Sequence, residues 1–414
     1  MKLTKSAGAF RVLHTADWHL GKLLGDLSRE DEHSRFLDFL IETIVAEEVD
    51  ALVIAGDLFD SANPPQSAQR QYYAFLSQLY AARECAVVVV AGNHDSPAQL
   101  EAPRDVLTTL RATVVGRALE DPVLLLPDSE SPRLALAAIP FLRDRDLRSG
   151  QMGQGAEAIR QALVDGIARR YSDAGEAVEG LGVPAMATGH LTVSGAKASD
   201  SERDIHVGGL GTVSAKIFPQ VFDYVALGHL HRPQACGEAD HIRYSGSPIP
   251  LSFSEALDTK SVQIADFGTE GLIGREDLRL PMWRRLVQLR MKRAEIEEVL
   301  GAQIELEGEL RTWVEVIIED PVAGENLLEQ VRSVAEGKDF DVVRVVCSRP
   351  RNVAGIGSTD LADAAGEESL LEDPAKVFAL RLDREEAFEE GERESLELLF
   401  RQVLEHHQQE GGAD

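Results

Sequence analysis

The chain has 414 residues, 44% of them apolar, a length and balance that predict two or three globular domains with a large buried core. No run approaches the roughly 18 to 20 apolar residues of a membrane-spanning helix, and the first ten residues lack a secretory apolar segment, so we expect a cytoplasmic protein without membrane contact. The formal net charge of −28, from 42 basic and 70 acidic residues, argues against general attraction to nucleic acid, so any DNA contact needs a local basic surface or bound metal ions.

Five short apolar runs in the first 231 residues predict buried strands. They are Phe10 to Ala16, Ala51 to Ala55, Ala86 to Ala91, Val183 to Thr188 and Tyr224 to Leu227. Each run is followed by a cluster of Gly, acid, Asn or His residues: Asp17-Trp18-His19, Gly56-Asp57, Gly92-Asn93-His94-Asp95, Gly189-His190 and Gly228-His229-Leu230-His231. If the strands lie side by side in one sheet, a single rim carries all five clusters.

Helical patterns separate these strands. Apolar residues from Phe36 to Val45 recur at helical spacing, and further helices are predicted over 66–82 and 156–171. Alternating strands and helices predict an α/β layered domain whose ligands lie at the carboxyl ends of the strands.

From about Pro281 the pattern changes to a small β-α-β-α-β unit without a metal-ligand cluster. A Gly-, Ala- and Ser-rich linker and two predicted helices follow, the first beginning at Pro374 and the second over 392–407. The second helix has one apolar stripe, which either packs on its own chain or docks to a partner. We divide the chain into a first domain (1–280), a small domain (281–350), a flexible linker (351–369) and a C-terminal helical segment (370–414).

The five clusters contain a full set of oxygen and nitrogen metal ligands without a thiolate, which predicts a site for two divalent metal ions. The candidate ligands are Asp17, His19, Asp57, Asn93, His190, His229 and His231. Asp57, central among the strand ends, is the candidate bridging carboxylate. The predicted set for one ion is Asp17, His19 and His231, and the set for the other is Asn93, His190 and His229. This donor set favours Mn, Fe, Zn or Co, and we expect manganese.

Two such ions turn a shared water into hydroxide and hold phosphate oxygens for in-line attack. His94, which neither ligand set needs, is the predicted general acid for the leaving oxygen, and Asp95 is expected to orient and stabilise its imidazole. Each cluster alone is weak evidence, but the ordered combination predicts phosphoester hydrolysis.

The order of these clusters resembles the calcineurin-like metallophosphoesterases, whose pattern is D-x-H, GD, GNH[DE], GH and GHxH. More closely, the chain resembles the bacterial SbcD nuclease subunits of the double-strand-break repair nuclease family, from about Arg11 to Phe253. The segments that carry this resemblance are His14 to Gly21, Ala55 to Asp60, Ala91 to Ser96, Ile139 to Arg143, Ala187 to Thr192, Arg203 to Ile205, Ala226 to Arg232 and Tyr244 to Phe253.

The resemblance implies a four-layer α/β/β/α sandwich, a small α+β capping domain, and a C-terminal helical tail that docks to the coiled coil of an SbcC-type ATPase. It also implies manganese-dependent exonuclease action on double-stranded DNA ends and endonuclease action on single strands and hairpins. A homodimer is implied, with its surface on the helices after the second and third clusters. The same seven residues are implied as metal ligands, and His94 as the catalytic acid. Archaeal and eukaryotic relatives have a second His at the position of Asp60, so a DNA-positioning role of that His does not transfer.

Arg143 and Arg145 belong to the basic cluster nearest the site in sequence, and they either contact DNA phosphates or pair with neighbouring acids. Two other functions stay open: a phosphatase or cyclic-nucleotide phosphodiesterase, and a structural adaptor of a coiled-coil ATPase. The extra domain and tail argue against the first, and the complete ligand set argues against the second.

Overall fold

A computed structural model describes residues 5–147, 156–197, 202, 212–237, 239–302, 308–320, 327–347, 374–383, 393, 396–397 and 399–401. The strands are β1 (Phe10–Thr15), β2 (Leu23–Leu24), β3 (Leu27–Ser28), β4 (Ala51–Ala55), β5 (Ala86–Val90), β6 (Ala112–Val115), β7 (Val123–Leu126), β8 (Leu134–Ala137), β9 (Ala185–His190), β10 (Tyr224–Gly228), β11 (Gln234–Cys236), β12 (Ala239–Tyr244), β13 (Ser261–Gly268), β14 (Gly271–Arg279), β15 (Arg284–Met291), β16 (Leu310–Ile318) and β17 (Phe340–Cys347). The helices are α1 (Glu30–Ala46), α2 (Gln66–Ala82), α3 (Pro97–Glu101), α4 (Arg104–Thr109), α5 (Asp144–Leu147), α6 (Ala156–Val178), α7 (Ile296–Gly301), α8 (Leu327–Ala335) and α9 (Pro374–Asp383).

Two six-stranded sheets form the large part of the fold. The first has the order β14-β13-β1-β4-β5-β6, with β1, β4, β5 and β6 parallel and β13 antiparallel to β1. The second has the order β11-β12-β10-β9-β8-β7, with parallel pairing from β12 to β8. The condition of a single sheet is not met, because β1, β4 and β5 belong to one sheet and β9 and β10 to the other.

Apolar side chains pack these sheets face to face. Val12, Val53 and Val88 of the first sheet form one buried cluster with Met186 and Tyr224 of the second. Helices α1 and α2 cover the outer face of the first sheet, and α6 covers the outer face of the second. The result is the four-layer α/β/β/α sandwich that the sequence resemblance implies.

A separate three-stranded parallel sheet, β15-β16-β17, carries α7 and α8 in the predicted β-α-β-α-β order. We call this sheet with its two helices the small unit. Its own apolar core includes Ile296, Val316, Ile318 and Val331. Just before β15, Trp283 packs edge-to-face on Phe36 of α1, at a ring-centroid distance of 6.2 Å, and so ties the small unit to the larger part.

The C-terminal segment begins with α9, at the position predicted from Pro374. Phe378 of α9 stacks on Phe400, with ring centroids 4.0 Å apart, so these two apolar side chains cover each other. The predicted linker at 351–369 lies outside the described residues. Among the helices that are described, none is both long and apolar enough to span a bilayer.

Candidate metal centre

The loops after β1, β4 and β10 have a backbone conformation that L-residues rarely adopt. Four of the predicted ligands have positive φ angles: Asp17 (53°), His19 (46°), Asp57 (48°) and His229 (97°). Such a conformation costs of order 1–3 kcal/mol per residue and persists where the surrounding structure enforces it, typically at functional sites. Hydrogen bonds between loops enforce it here, because the N–H of Asp17 donates to Gly56 O and that of His19 to Asp57 O, both at 3.0 Å.

Glycines let the two sheets approach at this edge. A Cβ on Gly56, whose φ is +97°, would lie 2.8 Å from Cγ of His190. A Cβ on Gly228 would lie 2.9 Å from Cβ of Ala16 and 3.0 Å from Nδ1 of His190. Real Cβ atoms essentially never make contacts under 3.0 Å, so a residue larger than Gly would not fit at position 56 or 228 without a shift of its neighbours.

The predicted ligands from both sheets converge around Asp57. Oδ2 of Asp57 lies 3.5 Å from Nε2 of His19 and 3.3 Å from Nε2 of His190, and His190 Nε2 lies 2.9 Å from Oδ1 of Asn93. Three groups have ligand atoms within 4.8 Å of one another and could hold a metal ion: Asp17, His19 and His231; His19, Asp57 and His94; and Asp17, Asp57 and His190. The structure thus brings residues from all five clusters into these groups, and Asn93 touches one of them.

His229 is placed differently. Its backbone N–H donates to both carboxylate oxygens of Asp17, at 2.9 and 3.1 Å, and its ring lies edge-to-face with His190 at a centroid distance of 5.4 Å. Its imidazole is near the predicted site but belongs to none of the three groups found among the described residues.

Each converging imidazole is held through its other nitrogen. Nδ1 of His19 contacts Oδ1 of Asp60 (3.1 Å), Nδ1 of His190 contacts the carbonyl of Ala55 (3.0 Å), and Nδ1 of His231 contacts Oε1 of Glu255 (3.0 Å). An acceptor at Nδ1 places the proton there and leaves the Nε2 lone pair available, which is how metal-binding histidines are usually oriented.

Burial and charge set the pKa values of the centre. Burial raises the pKa of Asp17 to about 6, although the neighbouring His190 and His231 oppose the rise. At Asp57 burial acts in the same direction, but the nearby imidazoles, His190 foremost, hold its pKa well below the usual range. Burial works against protonation of His190, yet Asp57 raises its pKa to about 9. A proton on His190 therefore supplies the positive charge beside Asp57, and a divalent cation that binds here replaces it.

The donor set fits divalent metal ions. Nε2 of His19 is buried and has no hydrogen-bond partner among the described residues, with Asp57 Oδ2 3.5 Å away. A buried polar atom without a partner costs about 1–3 kcal/mol and calls for an explanation, which a cation bound between these atoms provides. Nε2 of His190 lies 2.9 Å from Oδ1 of Asn93, so a cation that displaced the His190 proton would find two acceptor atoms there.

The expected role of Asp95 needs correction. Its carboxylate accepts three backbone hydrogen bonds, from Gly92 (2.9 Å), Phe59 (3.0 Å) and Leu58 (3.1 Å), and so ties the loops after β4 and β5 together. The acceptor at Nδ1 of His94 is instead the Asp60 carbonyl, at 2.7 Å. The physical reason is that consecutive side chains at this turn point in different directions, Asp95 into the protein and His94 towards Asp57 and His19.

Of the two arginines predicted to contact DNA, the structure describes the side chain of one. Arg143 lies beside the centre, where its Nη2 donates to the carbonyl of Asp95 at 3.1 Å. The side chain of Arg145 lies outside the described residues.

Two residues position ligands in a way that the sequence did not predict, Glu255 and Asp60. Glu255 is fully buried and holds His231, and nothing in the sequence pattern links residues 24 positions apart. Asp60 holds His19, and that imidazole together with the salt bridge to Lys22 (3.3 Å) keeps the pKa of Asp60 below the usual range despite burial. The segment Gly56-Asp57-Leu58-Phe59-Asp60 contained this signal, since Asp60 follows the GD cluster by three positions.

Two protein families match successive parts of the chain. The calcineurin-like phosphoesterase family matches residues 10–134, and the family described as type 5 capsule protein repressor C-terminal domain matches residues 282–386. The SbcD subunit of the nuclease SbcCD from Escherichia coli K12 is 36% identical over 398 residues, which cover 95% of this chain and 98% of that protein. The SbcD subunits of Rhodobacter capsulatus and Bacillus subtilis are 38% and 39% identical, covering 70% and 62% of this chain and 75% and 66% of their own lengths. The chain therefore belongs to the SbcD family within the calcineurin-like phosphoesterases.

Proposed function

We propose that this chain is a metal-dependent DNA nuclease, the hydrolytic component of an end-processing complex with an SbcC-type coiled-coil ATPase. The observation that carries the proposal is the convergence of His19, His190 and Asp57, with His94 beside them, at the edge where the two sheets meet. The family to which the chain belongs supports the same activity.

We assign Asp17, His19 and His231 to one divalent ion, Asn93, His190 and His229 to the other, and Asp57 to both. Nitrogen and oxygen donors without sulfur suit manganese, which we propose as the working metal. When bound, such ions make a nucleophile from water near neutral pH and neutralise charge on phosphate oxygens.

His94 is the proposed general acid. The Asp60 carbonyl accepts from Nδ1, so the proton available for transfer is at Nε2, on the side of Asp57 and His19. The leaving oxygen of the DNA backbone takes this proton as the phosphodiester bond breaks. Asp95 keeps the loop that carries His94 in place through its three backbone hydrogen bonds.

DNA is the proposed substrate, with exonuclease action on duplex ends and endonuclease action on single strands and hairpins. Arg143, tethered next to the His94 loop, is the proposed phosphate contact, and we extend this role to Arg145. A DNA substrate fits the cytoplasmic location expected from the sequence.

The proposed chain has four parts: a nuclease domain (1–280), a capping domain (281–350), a linker (351–369) and an ATPase-docking segment (370–414). The match of a second family to residues 282–386 supports a separate unit after the nuclease domain. The docking segment would bind the coiled coil of the ATPase through apolar residues such as Leu399, which is 57% exposed.

A homodimer is the proposed form of the protein. Helices α2 and α4 expose Tyr73, Tyr80 and Val106 to solvent, and exposed apolar side chains are typical of an interface. A Val106→Glu variant should sediment as a monomer where the wild type sediments as a dimer. A dimeric Val106→Glu variant contradicts this choice of surface.

The test of the function is manganese-dependent degradation of an end-labelled DNA duplex by the full chain, alone and with its ATPase partner. A His94→Ala variant should lose at least about 100-fold in rate, the usual contribution of a general acid. His241→Ala, which removes an exposed imidazole on β12, is the matched control and should cleave like the wild type.

Hydrolysis of a small phosphodiester is measured in parallel. Cleavage of the small ester with DNA untouched, even with the partner present, refutes the nuclease and favours a phosphodiesterase. Full DNA cleavage by His94→Ala refutes the role of His94 as the acid.

A further inference from the structure

The support of His231 extends far beyond its own loop. Glu255 holds Nδ1 of His231 through Oε1 at 3.0 Å, while its Oε2 accepts from Lys260 Nζ (2.5 Å), Ser247 Oγ (3.2 Å) and the N–H of Leu251 (3.2 Å). The position of His231 therefore depends on the position of Glu255.

Glu255 is the last residue of a single 3-10 turn, Phe253–Glu255, which we call the support turn. Phe253 of this turn forms one buried apolar cluster with Leu286 of β15 and Trp313 of β16. These two residues belong to the small unit, so the support turn contacts the small unit through Phe253 and the metal centre through Glu255.

A buried ionic cluster fixes the small unit against the support turn. Arg284 of β15 donates to Oε1 of Glu32 (2.9 Å), and Arg29 donates to the same oxygen (2.7 Å). The guanidinium carbon of Arg284 lies 4.1 Å from the centre of the Trp313 ring, a cation–π geometry. Arg29 also donates to the carbonyl of Pro250 (2.7 Å), three residues before the support turn.

Buried charges hold this arrangement to one geometry. Arg29, Glu32 and Arg284 are at most 7% exposed, and a displaced small unit would leave Glu32 or a guanidinium buried without its partner. The cluster therefore resists sliding of the small unit over the support turn.

We infer that the small unit is part of the metal centre's support, with Trp313 and Leu286 as positioning residues that act through Phe253 and Glu255 on His231. The inference rests on the proposed metal-binding role of His231. Its consequence is asymmetric, because loosening the contact between the small unit and the support turn weakens binding of the ion held by His231 and spares binding of the ion held by Asn93 and His190.

Manganese titration of the full chain, followed by calorimetry, tests this inference. Trp313→Ala and Leu286→Ala should each lower the binding affinity for one of the two manganese ions by about 10- to 100-fold, the usual effect of changing a residue that orients a ligand. Glu255→Gln should lower the binding affinity for the same ion. Trp313→Phe, which keeps an aromatic ring under Arg284, should restore most of the affinity.

The matched control is Ile318→Ala, which truncates a buried side chain of the same strand as Trp313 but in the separate core of the small unit. It should lower the melting temperature and leave both manganese affinities unchanged. The double variant Trp313→Ala/Glu255→Gln should bind no more weakly than Glu255→Gln alone, since both changes act through one residue.

Three results would overturn the inference and leave the proposed function standing. The first is a wild-type manganese affinity in folded Trp313→Ala and Leu286→Ala, and the second is an equal loss of affinity in Ile318→Ala. The third is a double variant in which the two losses of affinity multiply. A wild-type chain that binds no manganese overturns both.

Discussion

Gly92 allows the loop after β5 to pass directly against Asp57, and replacing it with Ala should disable the metal centre. The φ of Gly92 is not in the positive region, so the backbone tolerates Ala and the effect is purely steric. The new Cβ would collide with Oδ1 and with the backbone N of Asp57 and would lie 2.7 Å from its Cγ, so Asp57 would have to move by at least about 0.7 Å to reach the 3.4 Å at which ordinary van der Waals contact begins. Asp57 has little room to retreat, because its Oδ1 accepts from the N–H of His94 at 2.9 Å and its Oδ2 faces His19 and His190.

A displacement of this size at a reacting centre costs on the order of 100-fold in rate. We therefore expect Gly92→Ala to hydrolyse a small phosphodiester with manganese roughly 100-fold more slowly than the wild type. Gly301→Ala is the matched control, since nothing lies within 4 Å of a Cβ at that position. Far-ultraviolet circular dichroism and melting temperature establish that both variants are folded. A folded Gly92→Ala variant with activity within about threefold of the wild type refutes the steric reasoning.

Three further predictions concern stability. Asp95→Asn should lower the free energy of unfolding by about 1–3 kcal/mol in urea titrations, because at least one of the three backbone N–H donors to Asp95 then faces the NH₂ group of the new Asn. An unchanged midpoint of urea unfolding contradicts this prediction. Burial lowers the pKa of His14 from 6.5 to about 3, so the neutral side chain stabilises the fold fully above pH 6.5 and less as the pH falls. Between pH 7 and 5 the free energy of unfolding of the wild type should therefore fall by about 2 kcal/mol more than that of His14→Gln. Equal losses in the two proteins refute this assignment. Manganese at about 100 times its dissociation constant should add about 2.7 kcal/mol of stability that a chelator removes, with a smaller gain in Asp57→Asn; identical gains argue against binding at Asp57.

The ligand clusters were predictable because strand ends in α/β proteins collect at one edge, and short polar groups after apolar runs are visible in the sequence. The division of the strands between two sheets was not predictable from local pattern. The runs at β5 and β9 are both short and buried, and nothing in either run says which neighbour it pairs with. Pairing is decided by contacts between distant residues, such as β1 with β13.

The supporting residues of the site were beyond the sequence for the same reason. Asp95 was expected to serve its neighbour His94, but its hydrogen-bond partners include Leu58 and Phe59, which come 37 and 36 positions earlier. Glu255 reaches His231 only because the 3-10 turn folds back under the loop after β10. A single sequence contains the ligands of such a site, whereas the residues that orient them depend on the tertiary fold.

Anomalous X-ray scattering at the manganese edge, from crystals grown with manganese, would locate the proposed ions directly. We expect two peaks on either side of the Asp57 carboxylate, one next to His19 and His231 and the other next to Asn93 and His190. A single peak, or peaks away from Asp57, would contradict a two-ion centre at the edge where the sheets meet.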